Sequence, residues 1–211
     1  MAHKKIKLTR TELKAQRDAL ARFERYLPTL KLKQQQIQSS IVQTRQSYDK
    51  INNATDTAKK HMSAYKTLFK DFAGVNIHQL AKPQSVQTST QSIAGVKVPK
   101  FENAVFSQTK YSLFATAPWT DRALIDLRNI NRLQAELDIL QTCMDLLQKE
   151  LKKVMQRVNL FEKIMIPQTQ DNIRRIRIAV GDQMTAGVAR AKIAKAKLEQ
   201  KEQNAKEVIA V

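Results

Sequence analysis

Glycine, proline, cysteine and aromatic residues are all scarce in this chain of 211 residues, which holds 4 Gly, 5 Pro, 1 Cys and 6% aromatics. Few glycines and prolines leave few sites for tight turns, and few aromatics leave little with which to fill a bulky globular core. A single cysteine, Cys143, excludes an internal disulfide and points to a reducing compartment. His3, His61 and His78 are scattered without metal-ligand spacing, and with one cysteine they leave no zinc site. Long apolar runs are also missing: nothing approaches the roughly 20 residues that span a bilayer. The basic start, Met1 to Lys5, is not followed by the apolar stretch of a secretory signal. The expectation is a soluble, cytoplasmic protein that meets a membrane only through partners. Gly181-Asp-Gln-Met-Thr-Ala-Gly187 has the look of a phosphate loop, but it is one residue too long. Val188-Ala189 also stands where Lys-Ser/Thr would hold phosphate and magnesium. Asp121, Asp126 and Glu136 fall on helix surfaces rather than in a pocket. These absences exclude an enzyme acting alone, and no cofactor or metal is expected.

What is present is periodicity. From Ile130 the apolar residues Leu133, Leu137, Leu140, Met144, Leu147, Leu151, Val154, Val158, Phe161 and Met165 follow at alternating steps of three and four. That spacing lines one seam of a helix. The N-terminal part repeats it through Leu13, Leu20, Phe23, Leu27, Leu30, Ile37, Ile41, Tyr48, Ile51, Ala58, Met62, Tyr65, Phe69 and Phe72, interrupted by Gln16, Gln34, Thr44 and Thr55. A seam needs a matching seam, and this chain carries one at each end. The predicted fold is mainly α: a long antiparallel two-helix coiled coil within one molecule. Its first helix, Arg10 to Phe72, would be about 95 Å long at 1.5 Å per residue.

Between the seams the composition changes. Gly74, Pro83, Gly95, Pro99 and Pro118 punctuate residues 73–119, and Gln84 to Ser92 is a polar Gln/Ser/Thr run. Ile93 to Pro99, Asn103 to Gln108 and Tyr111 to Phe114 read as two or three short strands, one pair forming a hairpin. Three segments follow: an N-terminal coiled-coil helix over 1–72, a small head containing a short β-hairpin over 73–119, and a C-terminal helix with a basic tip over 120–211. The second helix is expected to begin near Pro118, with Asp121 complementing its dipole. Pairing Phe72 with Asp121 sets a register that puts Pro28 near Pro167, so one shared bend or change of supercoil is expected there. After Pro167 the seam slips by one residue, continuing as Ile166, Ile173, Ile176 and Val180. Residues beyond about 183 are left without an N-terminal partner.

The net charge of +18 is unevenly spread. Between residues 174 and 197, Arg174, Arg175, Arg177, Arg190, Lys192, Lys195 and Lys197 face only Asp182. An acidic protein socket or a nucleic-acid backbone would each answer such charge. No aromatics are interleaved with these cations for base stacking, which weighs against nucleic acid.

Several blocks carry a resemblance. Leu8-Thr-Arg-Thr-Glu-Leu13, Leu30-Lys-Leu-Lys33 and Val96-Lys-Val-Pro99 resemble segments of the D subunit of V-type (vacuolar/archaeal-type) rotary ATPases. Arg157-Val-Asn-Leu-Phe-Glu162 followed by Ile166-Pro167 is similar to that family's Arg-Val-Asn-Ala-Leu-Glu block and Ile-Pro, so Arg157, Val158, Asn159, Glu162 and Pro167 carry the match. The resemblance runs to about residue 178. Beyond it the family usually continues with a Glu-rich helix, whereas Val180 to Lys197 is acid-poor and carries two glycines. The resemblance implies a non-catalytic central-stalk subunit, a rotor shaft coupling ATP synthesis or hydrolysis to ion transport, hydrogen ions included. Implied partners are the catalytic and non-catalytic hexamer subunits around the tip, the small F subunit of the rotor, and the funnel-shaped subunit on the membrane ring. The alternative from the residues themselves is a basic helical hairpin binding nucleic acid or ribosomes, with a coiled-coil chaperone or tether behind it.

Overall fold

The computed structural model describes residues 6–65, 67–68, 76–108, 111–112 and 116–209, with side chains as far as Lys201. Helix α1 spans Arg10–Ser63 and α2 spans Ile77–Leu80; strands β1 and β2 span Pro83–Ile93 and Val96–Phe106. Helix α3 then spans Thr120–Leu160, a π-helical turn covers Phe161–Met165, and α4 spans Ile166–Ile209. The chain divides into two compact units, residues 1–30 with 157–211 and residues 31–156.

Helix α1 starts where a capping box sits in the sequence. The Glu12 amide donates to the Thr9 hydroxyl at 3.3 Å, satisfying one of the orphan donors of the first turn. From Leu13 to Tyr65 every expected seam position is buried or half-buried, as is every one from Ile130 to Met165. Three of the four polar interruptions bond within their own helix. Thr44 and Thr55 each donate to the carbonyl four residues back, at 2.8 Å, and the Gln16 amide donates to Glu12 at 2.8 Å.

Three expectations are corrected. First, α1 ends at Ser63, nine residues short of the expected Phe72; the seam positions Phe69 and Phe72, like Gly74, lie outside the described residues. Second, the register shifts with that end. The Tyr65 hydroxyl donates to Asp126, and the Thr44 hydroxyl lies within hydrogen-bond reach of Cys143, where the expected register would set Lys50. Third, the polar run Gln84 to Ser92 is itself a strand. β1 pairs antiparallel with β2 from Pro83↔Phe106 to Ile93↔Val96. The two-residue turn falls at Ala94 and Gly95, inside the run that reads as one strand. Both residues have positive φ, 50° and 77°, the backbone that matches the twist of a hairpin. Pro99 is accommodated because each strand of a two-stranded sheet has an open edge. Leu113 and Phe114 of the third expected strand lie outside the described residues, and Tyr111 is not in a strand.

In the unit of residues 31–156, Ile77 and Ala81 pack with Leu124 and Leu127, and Met62, Leu80, Tyr111 and Trp119 close over them. The hairpin reaches away from this cluster. A β-carbon built on Gly95 would stand 3.9 Å from the Lys33 ammonium nitrogen, so the turn lies against α1 well back from its end.

Candidate interaction surfaces

No group of three or more His, Cys, Asp or Glu gathers as metal ligands among the described residues, and none of their helices is long and apolar enough to cross a membrane. The candidate site is therefore a surface. Three places combine chemistry with position: the C-terminal part of α4, the turn before it, and the root of the hairpin.

On α4 the buried positions are Thr169, Ile173 and Ile176, with Val180 half-buried; from Gly181 to Lys201 every residue is exposed. The expected exit of the helix from its partner near residue 183 is thus where the seam stops. Gly181 and Gly187 meet nothing within 4 Å on the side where a β-carbon would stand. Arg174, Arg175, Arg177, Arg190, Lys192 and Lys195 are all exposed. An unbroken helix sorts them. Arg174 and Lys192, and likewise Arg177 and Lys195, are separated by about five whole turns at 3.6 residues each, so these four share one stripe. Arg175 and Arg190 project elsewhere. Arg190 donates to the Ala186 carbonyl at 3.2 Å, and Lys195 meets Glu199 at 3.7 Å, a surface pair that leaves the stripe positive.

The Arg157 to Pro167 block straddles the π-turn. Val158 is buried while Arg157, Asn159, Glu162 and Pro167 are exposed. Phe161 packs against Phe23 with ring centroids 5.3 Å apart and planes tilted by 45°, so this pair of seam residues anchors the start of the turn. A π-turn holds one residue more than an α-turn. That residue is the seam slip visible in the sequence, and it lies just before Pro167, while Pro28 lies inside α1. Of the remaining seam residues, Leu147 is fully buried, while Leu20, Leu27, Leu30, Leu137, Leu140 and Leu151 are half-buried.

The hairpin root is held by residues that sequence reasoning passes over. Arg128 donates to the Ser107 carbonyl at 2.8 Å and the Leu80 carbonyl at 3.3 Å, with its guanidinium 5.5 Å from the Phe106 ring centre. Asn131 donates to the Ala81 carbonyl at 2.7 Å. One turn of α3 therefore grips the chain on both sides of the hairpin. The Tyr111 hydroxyl donates to Asp121 at 2.5 Å, which raises its pKa. Tyr65 is pushed up to about 12, first by burial and then by its bond to Asp126. Both hydroxyls remain donors throughout the physiological range.

Comparison with known proteins gives a consistent result. The family described as the D subunit of ATP synthase matches residues 12–196. The V-type ATP synthase D subunit of Borreliella burgdorferi is 40% identical over 200 residues, covering 95% of this chain and 98% of that protein. The protein of the same name from Chlamydia felis is 33% identical over 201 residues, covering 94% and 96%. That of Chlamydia pneumoniae is 28% identical, covering 92% and 93%.

Proposed function

Because the chain belongs to the ATP synthase D-subunit family, we propose that it is the central-stalk subunit of a V-type rotary ATPase or ATP synthase. In this role it supplies no reacting group. It transmits torque between ATP synthesis or hydrolysis in a hexamer of catalytic and non-catalytic subunits and ion transport, of hydrogen ions or another cation, through a membrane ring. It stays on the cytoplasmic side, peripheral to the membrane. The small F subunit of the rotor and the funnel-shaped subunit on the ring are its remaining partners.

The observation that carries this reading is the contrast along the C-terminal helix. The seam is buried or half-buried at every expected position down to Val180, and then the helix stands alone, exposed and cationic. Transmitting torque requires continuous packing, so that a twist at one end is not lost in side-chain rearrangement. Driving catalytic sites in sequence requires an asymmetric tip, and one bare helix with a basic stripe is asymmetric. Family membership favours a protein socket over nucleic acid as the answer to this charge.

Two variants of the full chain test the assignment. Ending the chain after Val180 removes a stretch of the first unit that is exposed at every residue from Gly181 to Lys201. Binding of the small F subunit is expected to persist while ATP turnover coupled to transport falls. Deleting residues 84–105 joins two residues beside each other in the sheet, since Pro83 and Phe106 are partners. That variant is expected to weaken attachment of partner subunits while leaving the helices folded. Loss of small-subunit binding in the first variant with normal turnover would overturn the assignment.

A further inference from the structure

The hairpin has two open edges, and only one of them is guarded. A sheet edge offers its unpaired N–H and C=O groups to any extended chain, and natural sequences blunt such edges with charge, proline or a bulge. The two-residue turn makes Ile93↔Val96 the hydrogen-bonded pair that closes the hairpin. Pairs alternate from there, so Ser92↔Lys97, Thr90↔Pro99 and Thr88↔Phe101 turn their backbone groups outward. On β2 the outward row is therefore Lys97, Pro99 and Phe101. Pro99 has no N–H to donate, Lys97 adds a charge, and the register shift after Thr88↔Phe101 leaves Glu102 as an extra residue on this strand. On β1 the row is Thr88, Thr90 and Ser92, with every donor present and no charged residue from Gln84 to Ile93. All three are exposed, and β1 has no strand partner but β2 among the described residues. The five residues from Thr88 to Ser92 make an unblocked edge about 16 Å long at 3.3 Å per residue.

We propose that the open edge of β1 takes a further strand, an extended acidic segment of another subunit, by main-chain pairing at Thr88, Thr90 and Ser92. Charge selects the occupant. No Asp or Glu occurs between Phe72 and Phe101, whereas Lys82, Lys97 and Lys100 do. Lys97 stands across from Ser92 and Lys100 across from Ser89. The Lys33 ammonium lies beside the turn, 3.9 Å from where a Gly95 β-carbon would stand. Carboxylates on an added strand would meet these cations. A second copy of this chain would bring the same lysines to the same edge and be repelled. That the strand comes from a fellow subunit rests on the central-stalk reading above; the open edge does not.

The test follows amide exchange in the full chain, alone and in the assembled complex, with Thr90→Pro as the blocking variant. Thr90 faces Pro99 in a pair without hydrogen bonds, so proline there removes an outward donor and leaves the β1–β2 ladder whole. In the chain alone, the amides of Thr88, Thr90 and Ser92 should exchange fast and those of Ser89 and Gln91, which bond to β2, slowly. In the complex the first three should slow by about tenfold or more. With Thr90→Pro, Thr88 and Ser92 should return to the rate of the free chain, while unchanged Ser89 and Gln91 show the hairpin intact. Thr90→Val keeps the donor and should behave as the parent. Lys97→Glu with Lys100→Glu, which leaves every backbone donor in place, should also restore fast exchange. Outward amides that stay fast on assembly would overturn the proposal and leave the central-stalk reading standing. Protection that appears in the chain alone as its concentration rises would overturn it too, naming a second copy as the occupant. Protection that survives Thr90→Pro would refute strand pairing, and protection that survives the lysine reversal would refute the acidic partner. A chain that joins no complex would overturn the central-stalk reading and this proposal with it.

Discussion

Ile176 and Ile178 are two residues apart on α4 and chemically identical, yet one is 0% exposed and the other 58%. Replacing each with alanine isolates burial from every other variable. For Ile176 the transfer term is about 2.4 kcal/mol, from three carbons at about 0.8 kcal/mol each. The cavity left behind brings the loss to about 3–4 kcal/mol. For Ile178, with less than half of the side chain covered, the transfer term shrinks to about 1 kcal/mol. Alanine's better helix propensity returns about 0.4 kcal/mol, leaving a net loss near 0.5 kcal/mol or below.

Urea unfolding followed by circular dichroism reads the difference directly. At a slope of about 2 kcal/mol per molar, Ile176→Ala should lower the midpoint by about 1.5–2 M and Ile178→Ala by about 0.3 M or less. Equal losses, or the larger loss at Ile178, would refute the phase assigned to the helix after the π-turn. Had the seam run on without the slip, its buried position would be Arg175 rather than Ile176, so the experiment also reads whether the extra residue is absorbed where the structure places it.

Leu147 is fully buried in the seam, so Leu147→Asp puts a carboxylate among packed apolar side chains; a loss of several kcal/mol is expected, and unchanged melting would remove the coiled-coil reading. Cys143 is buried and its thiol pKa is raised by that burial, with the Thr44 hydroxyl pulling weakly the other way. Native protein should therefore react with a thiol reagent only through unfolding, and immediate labelling would show the seam open there. Tyr65 holds its proton more tightly folded than unfolded, so its contribution to stability is complete below about pH 10 and is lost as pH rises towards about 12. An absorbance titration should show a late tyrosine component that is diminished in Tyr65→Phe, with Tyr111 still titrating late.

The seam is legible because its signal is redundant: many apolar residues at alternating steps leave only one face to bury, and that face is buried or half-buried at every described position. The extra residue is legible for the same reason, as a slip from Phe161 to Ile166, although the proline beside it suggests a bend rather than a wound-in turn. β1 is not legible. Gln84 to Ser92 is exposed at all but one position, so it has no apolar alternation to betray a strand; its order comes from backbone pairing with β2. Ala94-Gly95 is the available clue, a two-residue turn between Ile93 and Val96. Arg128 is illegible for a different reason. An arginine on a helix reads as solvated, and only the fold brings the Leu80 and Ser107 carbonyls to it. The basic tip can be counted from sequence, but its division into a stripe and two outliers needs an unbroken helix through Gly181 and Gly187.

The register shows where periodicity stops being informative. A heptad says which residues face a partner and is silent on which partner residue each one meets; that depends on where the helices end. The apolar spacing runs on through Tyr65, Phe69 and Phe72 with no glycine before Gly74, so nothing in the pattern marks Ser63 as the last helical residue. Cys143 offers a native probe of the correction. Thr44→Cys would place a second thiol within reach of it and should form an intramolecular disulfide under mild oxidation at alkaline pH, where the buried thiol begins to ionise. Lys50→Cys, the partner implied by the uncorrected register, lies six residues further along α1, about 9 Å at 1.5 Å per residue. That exceeds the roughly 7 Å between Cα atoms that a disulfide tolerates. Electrophoretic mobility and free-thiol counts should therefore separate the two variants. Bridging at Lys50→Cys but not at Thr44→Cys would restore the original register, and disulfides forming only between molecules would replace the intramolecular hairpin with a dimer.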